Sequence, residues 1–302
     1  MPELPEVEMV RRGLDAHILD RTIEQVRIFD ERALKRHPYG PRDLEARLRG
    51  LKVVAVDRRG KFLWISAGSP SSSGESVVEE QLMVHLGMSG QMLIATDGGD
   101  DRSQQQPGAA LHRHTRISAY LDDGLRLDFV DQRLFGGWSL SEGEVEAHGR
   151  LVPREMAHIA ADPFEAVFDA GAVARRMKRS RAAVKSLLLQ QGLVSGIGNI
   201  YADEALWRMK INGAREGASI PVTKLTGLLN ASREVMTDAL AEGGTSFDSL
   251  YRHVNGESGY FARSLQAYGR TGEPCSRCGT LLVKEQFMNR SSHFCPRCQR
   301  RR

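Results

Sequence analysis

The period of apolar and polar positions changes along the chain. Near the start, Val7, Val10 and Leu14 recur at helical spacing, which predicts a helix from Pro5 to about Ala16. Short segments rich in β-branched or apolar residues follow, and they predict strands at 22–29, 52–57, 61–66, 77–86, 89–95, 115–121 and 125–130. This spacing is typical of an antiparallel β-sandwich rather than of alternating strand–helix units.

Polar segments divide the chain into domains. Two loops rich in Gly, Ser, Asp, Gln and Pro, 66–76 and 96–110, interrupt the strands, and no role can be assigned to them. After Pro163 the apolar period becomes helical, which predicts helices at 170–177, 181–190, 200–209 and 221–241. We therefore expect a β-rich domain, a linker, a helical domain and a terminal segment, at 1–140, 141–162, 163–245 and 246–302.

Composition is that of an ordinary globular protein. The 302 residues are 41% hydrophobic and 26% charged, enough for a sizeable core. No stretch approaches the roughly 18 apolar residues of a membrane span, and no basic segment leads into an apolar run as in a secretory signal. We expect a cytoplasmic protein, which argues against disulfides.

Charge is distributed unevenly. The net charge is only +4, but the segment 263–302 holds nine Lys or Arg and two acids, giving +7, so the rest of the chain carries −3. A second run, from Arg175 to Lys185, contains six more basic residues and no acid. Two basic runs on a near-neutral body favour a polyanionic partner, although each alone is typical of a solvated face.

Four cysteines form the strongest local signal. Cys275 and Cys278, then Cys295 and Cys298, make two Cys-x2-Cys pairs separated by sixteen residues, the spacing of a four-thiolate zinc site. Four protein ligands leave no open position, so we expect one structural Zn²⁺. The residues between the pairs, 284–294, are expected to form a hairpin with Arg290 near its turn, suited to phosphate contacts.

The chain start offers a possible nucleophile. If Met1 is removed, Pro2 exposes a secondary amine that can form an iminium with an aldehyde-level carbon. Its intrinsic pKa of about 8 is well below the roughly 10.4 of lysine. Glu3 and Glu6 could transfer protons beside it. Alternatively, Pro5 simply opens a helix whose dipole favours nearby acids.

A glycine-rich segment, 192–199, separates two predicted helices. Asn199 is a good N-cap for a helix beginning at Ile200, and free amides there would bind a phosphate. The alternative is a plain tight turn.

Three further positions are ambiguous alone. Met88, in a strand–turn–strand junction, is either core or a wedge between bases. Arg133 and Phe135 lie at another predicted turn, and Lys61 is either a solvated strand end or a phosphate ligand.

Four motifs in order give the chain a family resemblance. The start at 2–8, the turn at 85–90, the segment 196–204 and Tyr268-Gly269-Arg270 before the cysteines resemble the bacterial formamidopyrimidine-DNA glycosylases, or 8-oxoguanine DNA glycosylases, of the helix-two-turn-helix superfamily. The resemblance spans the chain. It implies an α+β multidomain fold: an antiparallel β-sandwich with an N-terminal helix, a helix-two-turn-helix domain and a β-hairpin zinc finger.

The resemblance also implies residue roles. Catalytic roles fall on Pro2 as Schiff-base nucleophile, Glu3 as acid, Glu6 as supporting carboxylate and Lys61 near the lesion phosphate. The expected DNA-binding residues either fill the void left by the extruded base or grip the backbone: Met88, Arg133 and Phe135, and Lys185, Asn199 and Arg290. Many relatives carry Arg where this chain has Leu134, which bears on the opposite-base preference.

The implied activity is bifunctional DNA repair: excision of 8-oxoguanine and formamidopyrimidines, then β,δ-elimination at the abasic site. The expected partner is double-stranded DNA with oxidised bases or abasic sites, bound by a monomer, with no membrane. Two alternatives remain, an endonuclease VIII-like enzyme for oxidised pyrimidines and a non-catalytic zinc-finger protein that binds damaged DNA. The segment 243–261 resembles a purine-recognising loop and favours purines.

Overall fold

The structure is a computed structural model that describes residues 2–70, 76–96, 111–243 and 264–301. In these ranges no helix is long and apolar enough to cross a membrane. The predicted recognition loop at 243–261 falls outside the described residues after residue 243, as does the predicted loop 96–110 after Thr96.

The first helix belongs to two cores. Helix α1 spans Leu4–Ile18, with a proline in its first turn and the Glu3 amide donating to Glu6 Oε2 at 2.9 Å. Its apolar positions from Val7 onward pack into the β-rich core, whereas Leu4 packs into the core of the helical domain. The predicted helix is confirmed, and it joins the two domains.

Two four-stranded antiparallel sheets form the predicted sandwich. In the order of pairing, the first contains β1 (Ile23–Ile28), β6 (Thr115–Leu121), β7 (Leu125–Val130) and β5 (Gln91–Thr96). The second contains β2 (Lys52–Arg59), β3 (Phe62–Pro70), β4 (Ser76–His85) and β8 (Gly137–Ser141). One buried cluster, including Phe129, Trp138 and Leu63, joins both sheets to α1 and to α2 (Pro41–Leu48).

Several elements differ from the sequence prediction. Helix α2 was not predicted because it buries only Leu44 and Leu48, too few positions to establish a period. Inside the predicted linker lies a small sheet of β9 (Gly143–Val145) and β10 (Leu151–Pro153), and β9 is wholly exposed and shows no alternation. Much of the predicted loop 66–76 is strand, since β3 continues to Pro70 and β4 begins at Ser76.

The helical domain follows its predicted order. Its helices are α3 (Ala170–Lys178), α4 (Val184–Leu189), α5 (Asn199–Arg208) and α6 (Val222–Ala241). They share a second apolar core, which also receives Leu4.

A hairpin of β11 (Val283–Phe287) and β12 (Arg290–Phe294) ends the fold as predicted, with Met288 and Asn289 as its turn. The finger docks on α5 through two buried carboxylates. Asp203 accepts the amide of His293 at 2.9 Å, and Glu204 accepts the amide of Ala267 at 2.8 Å.

A buried ionic network joins the sandwich to the helical domain. Arg58 donates to Asp162 Oδ2 at 2.7 Å, and the same oxygen accepts the amide of Gly60 at 2.9 Å. Beside it, Arg59 pairs with both Glu146 and Glu165. These contacts fix the β2–β3 turn at Gly60, directly before Lys61.

Candidate active site

A cavity of about 130 Å³ collects residues from every part of the fold. Pro2 from the chain start is buried against it, beside Lys61 of the β2–β3 turn and Gln191 of the helical domain. Arg290, at the tip of the finger hairpin, completes the wall. Three of the residues predicted from sequence to serve the site therefore share one small cavity.

Glu3 sits at the start of helix α5. Its carboxylate accepts the amides of Ile200 at 3.1 Å and Tyr201 at 3.5 Å, where the helix dipole favours negative charge. Burial raises the pKa of Glu3 and Glu6 adds to the rise, while Lys61 opposes it. A carboxyl with a raised pKa is better suited to hold and donate a proton.

Gly198 leaves the space that the Glu3 carboxylate occupies at the start of α5. A Cβ built on Gly198 would lie 2.1 Å from Glu3 Cδ, closer than any side chain allows. The glycine requirement at position 198 thus arises from the Glu3 carboxylate.

Glu6 is held between the two domains. The Tyr201 hydroxyl donates to Glu6 Oε1 at 2.7 Å, and the other carboxylate oxygen accepts the amide of Glu3. Sequence reasoning missed Tyr201, and its only signal was its place inside the 196–204 motif.

Lys61 lies close to these carboxylates. Burial and, more weakly, Arg290 lower the pKa of Lys61, whereas Glu3 and Glu6 raise it. The preceding Gly60 has φ +56°, and a Cβ there would lie 2.7 Å from the Gly196 amide nitrogen. The turn that presents Lys61 is therefore pressed against the helical domain.

Asn199 differs from its predicted local role. The N-cap of α5 is Gly198, and Asn199 Nδ2 donates to the carbonyl of Ser291 in β12 at 3.0 Å. The amides expected to bind a phosphate instead receive Glu3. The prediction of free amides was wrong because the partner carboxylate lies almost 200 positions away in sequence.

Lys185 is fully buried. Its ammonium lies 2.6 Å from Asp203 Oδ1 and donates to the carbonyl of Ser291 at 2.8 Å. Burial lowers the pKa of Lys185, and Asp203 opposes that shift. Its role as a phosphate ligand stays a prediction. Its described contacts support the hairpin that carries Arg290. The missed partner, Asp203, had one signal: it starts an acidic pair between apolar residues of α5.

The predicted void-filling residues lie on two turns. Met88, 42% exposed, follows β4, while Phe135, 48% exposed, and the exposed Arg133 lie between β7 and β8. Leu134 between them has φ +56°, and Lys35 donates to its carbonyl at 2.9 Å.

His85, which sequence reasoning did not single out, lines the cavity. Burial, followed by Arg36 and Lys35, lowers its pKa to about 4. Its signal was its place at the head of the motif 85–90.

The four cysteines converge on one point. Their Sγ atoms all lie within 4.8 Å of one another, and Cys278 Sγ is 3.5 Å from both Cys295 Sγ and Cys298 Sγ. A tetrahedral Zn²⁺ with Zn–S bonds of about 2.3 Å requires sulfurs about 3.8 Å apart, so the donor set fits zinc. This site is a structural zinc centre, and Arg277 beside it stacks on Trp207 of α5 at 3.6 Å.

Three family models match the chain in order. They are the formamidopyrimidine-DNA glycosylase N-terminal domain over residues 1–138, the H2TH domain of the same enzyme over 159–250, and the zinc finger found in FPG and IleRS over 272–301. Together with the fold and the four-cysteine centre, they define a DNA glycosylase with a zinc finger.

Whole-chain relatives agree. The formamidopyrimidine-DNA glycosylases of Mycobacterium tuberculosis (strain ATCC 25177 / H37Ra) and Mycolicibacterium smegmatis are each 54% identical over 301 residues, covering 100% of this chain and 99% and 98% of theirs. The chain belongs to the formamidopyrimidine-DNA glycosylase family, DNA repair enzymes with glycosylase and AP lyase activity.

Solved structures are similar over the whole fold. Lactococcus lactis Fpg in complex with DNA containing an abasic site has a TM-score of 0.80 at 29% identity, covering 99% of this chain and 100% of that one. A variant of that protein in complex with Fapy-dG containing DNA has a TM-score of 0.81 at 30% identity, with the same coverage. The predicted α+β multidomain fold is confirmed.

Proposed function

We propose that Pro2, freed by removal of Met1, is the nucleophile of a bifunctional glycosylase that excises oxidised purines. The observation that carries the proposal is the shared cavity of Pro2, Lys61 and Arg290, with Glu3 next in the chain to Pro2. An amine beside a raised-pKa carboxyl and a lowered-pKa lysine suits covalent catalysis through proton transfers.

The proposed substrate is double-stranded DNA with 8-oxoguanine or a formamidopyrimidine, bound by a monomer. The name of the relatives and the Fapy-dG in the solved complex support this purine preference.

In the proposed reaction the damaged base first leaves the stack, at a cost of a few kcal/mol. Met88, Arg133 and Phe135 fill the void from the two exposed turns. Arg290 and Asn199 grip the backbone, and Lys185 supports them at the base of the hairpin.

The Pro2 nitrogen then attacks C1′, and the C1′–N bond to the base breaks as the base takes up a proton. Glu3 protonates the ring oxygen as the deoxyribose opens and the iminium forms. Glu6 keeps Glu3 in place through its hydrogen bond to the Glu3 amide. Lys61 lies near the lesion phosphate.

Elimination completes the proposal. The iminium acidifies the C2′ proton, whose removal expels the 3′ phosphate, and a second elimination expels the 5′ phosphate. The sugar remnant leaves on hydrolysis of the iminium. The expected product is a one-nucleotide gap flanked by phosphates.

Borohydride trapping tests the proposal. A duplex with 8-oxoguanine opposite cytosine should give a stable protein–DNA adduct, and a thymine-glycol duplex should give less. The Pro2→Gly variant should lose the adduct yet still bind the lesion. Wild-type adduct yield from Pro2→Gly would assign the nucleophile elsewhere, and stronger trapping on thymine glycol would assign the chain to the pyrimidine-directed alternative.

A further inference from the structure

Two exposed turns meet at one buried carboxylate. Asp131, at the end of β7, is fully buried. Its Oδ1 accepts the Ser89 hydroxyl at 2.6 Å and the Arg133 amide at 3.0 Å, and its Oδ2 accepts the Gly136 amide at 2.8 Å. One side chain therefore holds the turn after Met88 and both ends of the Arg133–Phe135 loop.

The backbones of the turns also touch. A Cβ on Gly87 would lie 2.6 Å from the Gly136 nitrogen, and a Cβ on Gly136 would lie 2.3 Å from the His85 carbonyl oxygen. With so little space between them, a shift of one turn displaces the other.

The Ser89–Asp131 bond is a side-chain link between the turn that joins β4 to β5 and the loop that joins β7 to β8. Ser89 is itself buried, and its hydroxyl binds an oxygen that also fixes the Arg133 amide. Both partners lie in the interior, where a hydrogen bond is electrostatically stronger than in water, so this link resists opening.

We propose that Asp131 and Ser89 are positioning residues that make Met88 and the Arg133–Phe135 loop a single wedge for base extrusion. The inference rests on the void-filling roles proposed above. Because the two turns insert into the duplex as one rigid unit, neither has to be ordered separately while the base pair opens. The link serves the extrusion step and leaves the chemistry at Pro2 untouched.

The test compares Ser89→Ala with Ser118→Ala. Ser118 is equally buried, and its hydroxyl donates to Asp128 at 2.5 Å, but it lies on β6 within the sheet. Both variants remove a buried serine–aspartate bond. Single-turnover cleavage is measured on an 8-oxoguanine:cytosine duplex and on a duplex with a ready-made abasic site, which has no base to extrude.

We expect Ser89→Ala to excise 8-oxoguanine about tenfold more slowly than wild type, because extrusion of the base then has a higher free-energy barrier. Cleavage of the abasic duplex should stay near the Ser118→Ala rate, which also shows that the variant is folded. The proposal is overturned if Ser89→Ala and Ser118→Ala have equal rates on each duplex. It is also overturned if Ser89→Ala loses the same factor on the abasic duplex as on the 8-oxoguanine duplex. Failure of the nucleophile proposal is separate, because it would appear as wild-type adduct yield from Pro2→Gly and not as a difference between the two duplexes.

A second measurement checks the coupling directly. In the wild-type background the effects of Met88→Ala and Phe135→Ala on the activation free energy of excision should be non-additive, because each disturbs the same rigid unit. In the Ser89→Ala background the two activation free-energy changes should add. Additivity in both backgrounds would show that the turns act independently.

Discussion

The Tyr201 hydroxyl binds Glu6 Oε1 at 2.7 Å, although the two residues are 195 positions apart. Tyr201 belongs to α5, and Glu6 belongs to the first turn of α1. Since Glu6 in turn accepts the Glu3 amide, the contact ties the residue beside Pro2 to the helical domain. The placement of the chain start therefore depends on both domains.

Tyr201→Phe should lower the free energy of unfolding by about 1–3 kcal/mol, because it removes a buried hydrogen bond to a carboxylate. Excision should slow at the same time. Urea unfolding and single-turnover kinetics measure both effects. Tyr39→Phe, at an exposed tyrosine, is the control. Indistinguishable behaviour of the two variants would contradict a role for Tyr201 in holding Glu6.

Gly198→Ala should reduce both base excision and abasic-site cleavage by about 10²-fold or more, the usual contribution of a positioned acid or base. The added methyl would overlap the Glu3 carboxylate. The control is Gly192→Ala in the same segment, where the nearest atom to the new Cβ is the His158 carbonyl at 3.6 Å. If Gly198→Ala retained full rates, the position of the Glu3 carboxylate at the start of α5 would have no catalytic importance.

The raised pKa of Glu3 predicts a pH-dependent stability. Above the ordinary value of 4.5 and up to the folded-state pKa, the folded protein binds more protons than the unfolded chain. Stability is therefore lost as pH rises through this window. Glu3→Gln should remove that loss, so its free energy of unfolding relative to wild type should rise from pH 4 to pH 7.

Urea unfolding at several pH values checks this prediction, with the exposed Glu24→Gln as control. A constant difference between wild type and Glu3→Gln across the range would mean that burial does not shift the Glu3 pKa.

Arg290→Ala should weaken binding to damaged and undamaged duplex alike and reduce the salt slope of log K by about one unit, if its guanidinium neutralises one phosphate. Lys284→Ala is the control on the same hairpin. Lys284 pairs with His293 and therefore shares a face of the hairpin with it. Because His293 and Arg290 are three positions apart on β12, strand alternation places Lys284 on the face opposite to Arg290. Equal salt slopes for wild type and Arg290→Ala would remove this phosphate contact.

Lys185→Met should cost about 3–5 kcal/mol of stability, because it leaves Asp203 buried without its cation. The exposed Lys224→Met serves as the control. Thermal unfolding measures the loss, and a salt titration of DNA binding runs beside it. A stable Lys185→Met protein whose salt slope falls by one unit would make Lys185 a direct phosphate ligand instead.

Features that depend on residues close together in the chain were predicted correctly from the sequence. The cysteine spacing gave the zinc centre, and the apolar periods gave α1, the main strands and the four helices of the second domain. Helix α2 and the small sheet of β9 and β10 escaped because they bury too little apolar surface to leave a period.

Long-range pairs could not be predicted. Nothing near Asn199 indicates that Glu3 occupies the amides after it, and nothing near Lys185 indicates that Asp203 holds its ammonium in the interior. Such partners depend on tertiary packing, between the two domains for Glu3 and within one domain for Asp203, which period and spacing do not encode. The Asp131 link escaped for the same reason, since its two turns lie 42 residues apart.

The division of α1 between two cores bears on how this enzyme can be recombined. Leu4 packs in the helical core, and its amide donates to the Gly196 carbonyl at 3.2 Å, while the rest of the helix lies in the sandwich. A chimera joined within residues 141–162 would set the first turn of one parent against the helical domain of another. Residues 2–4 therefore belong with the helical half, and a successful domain exchange needs a second crossover point inside the first turn of α1.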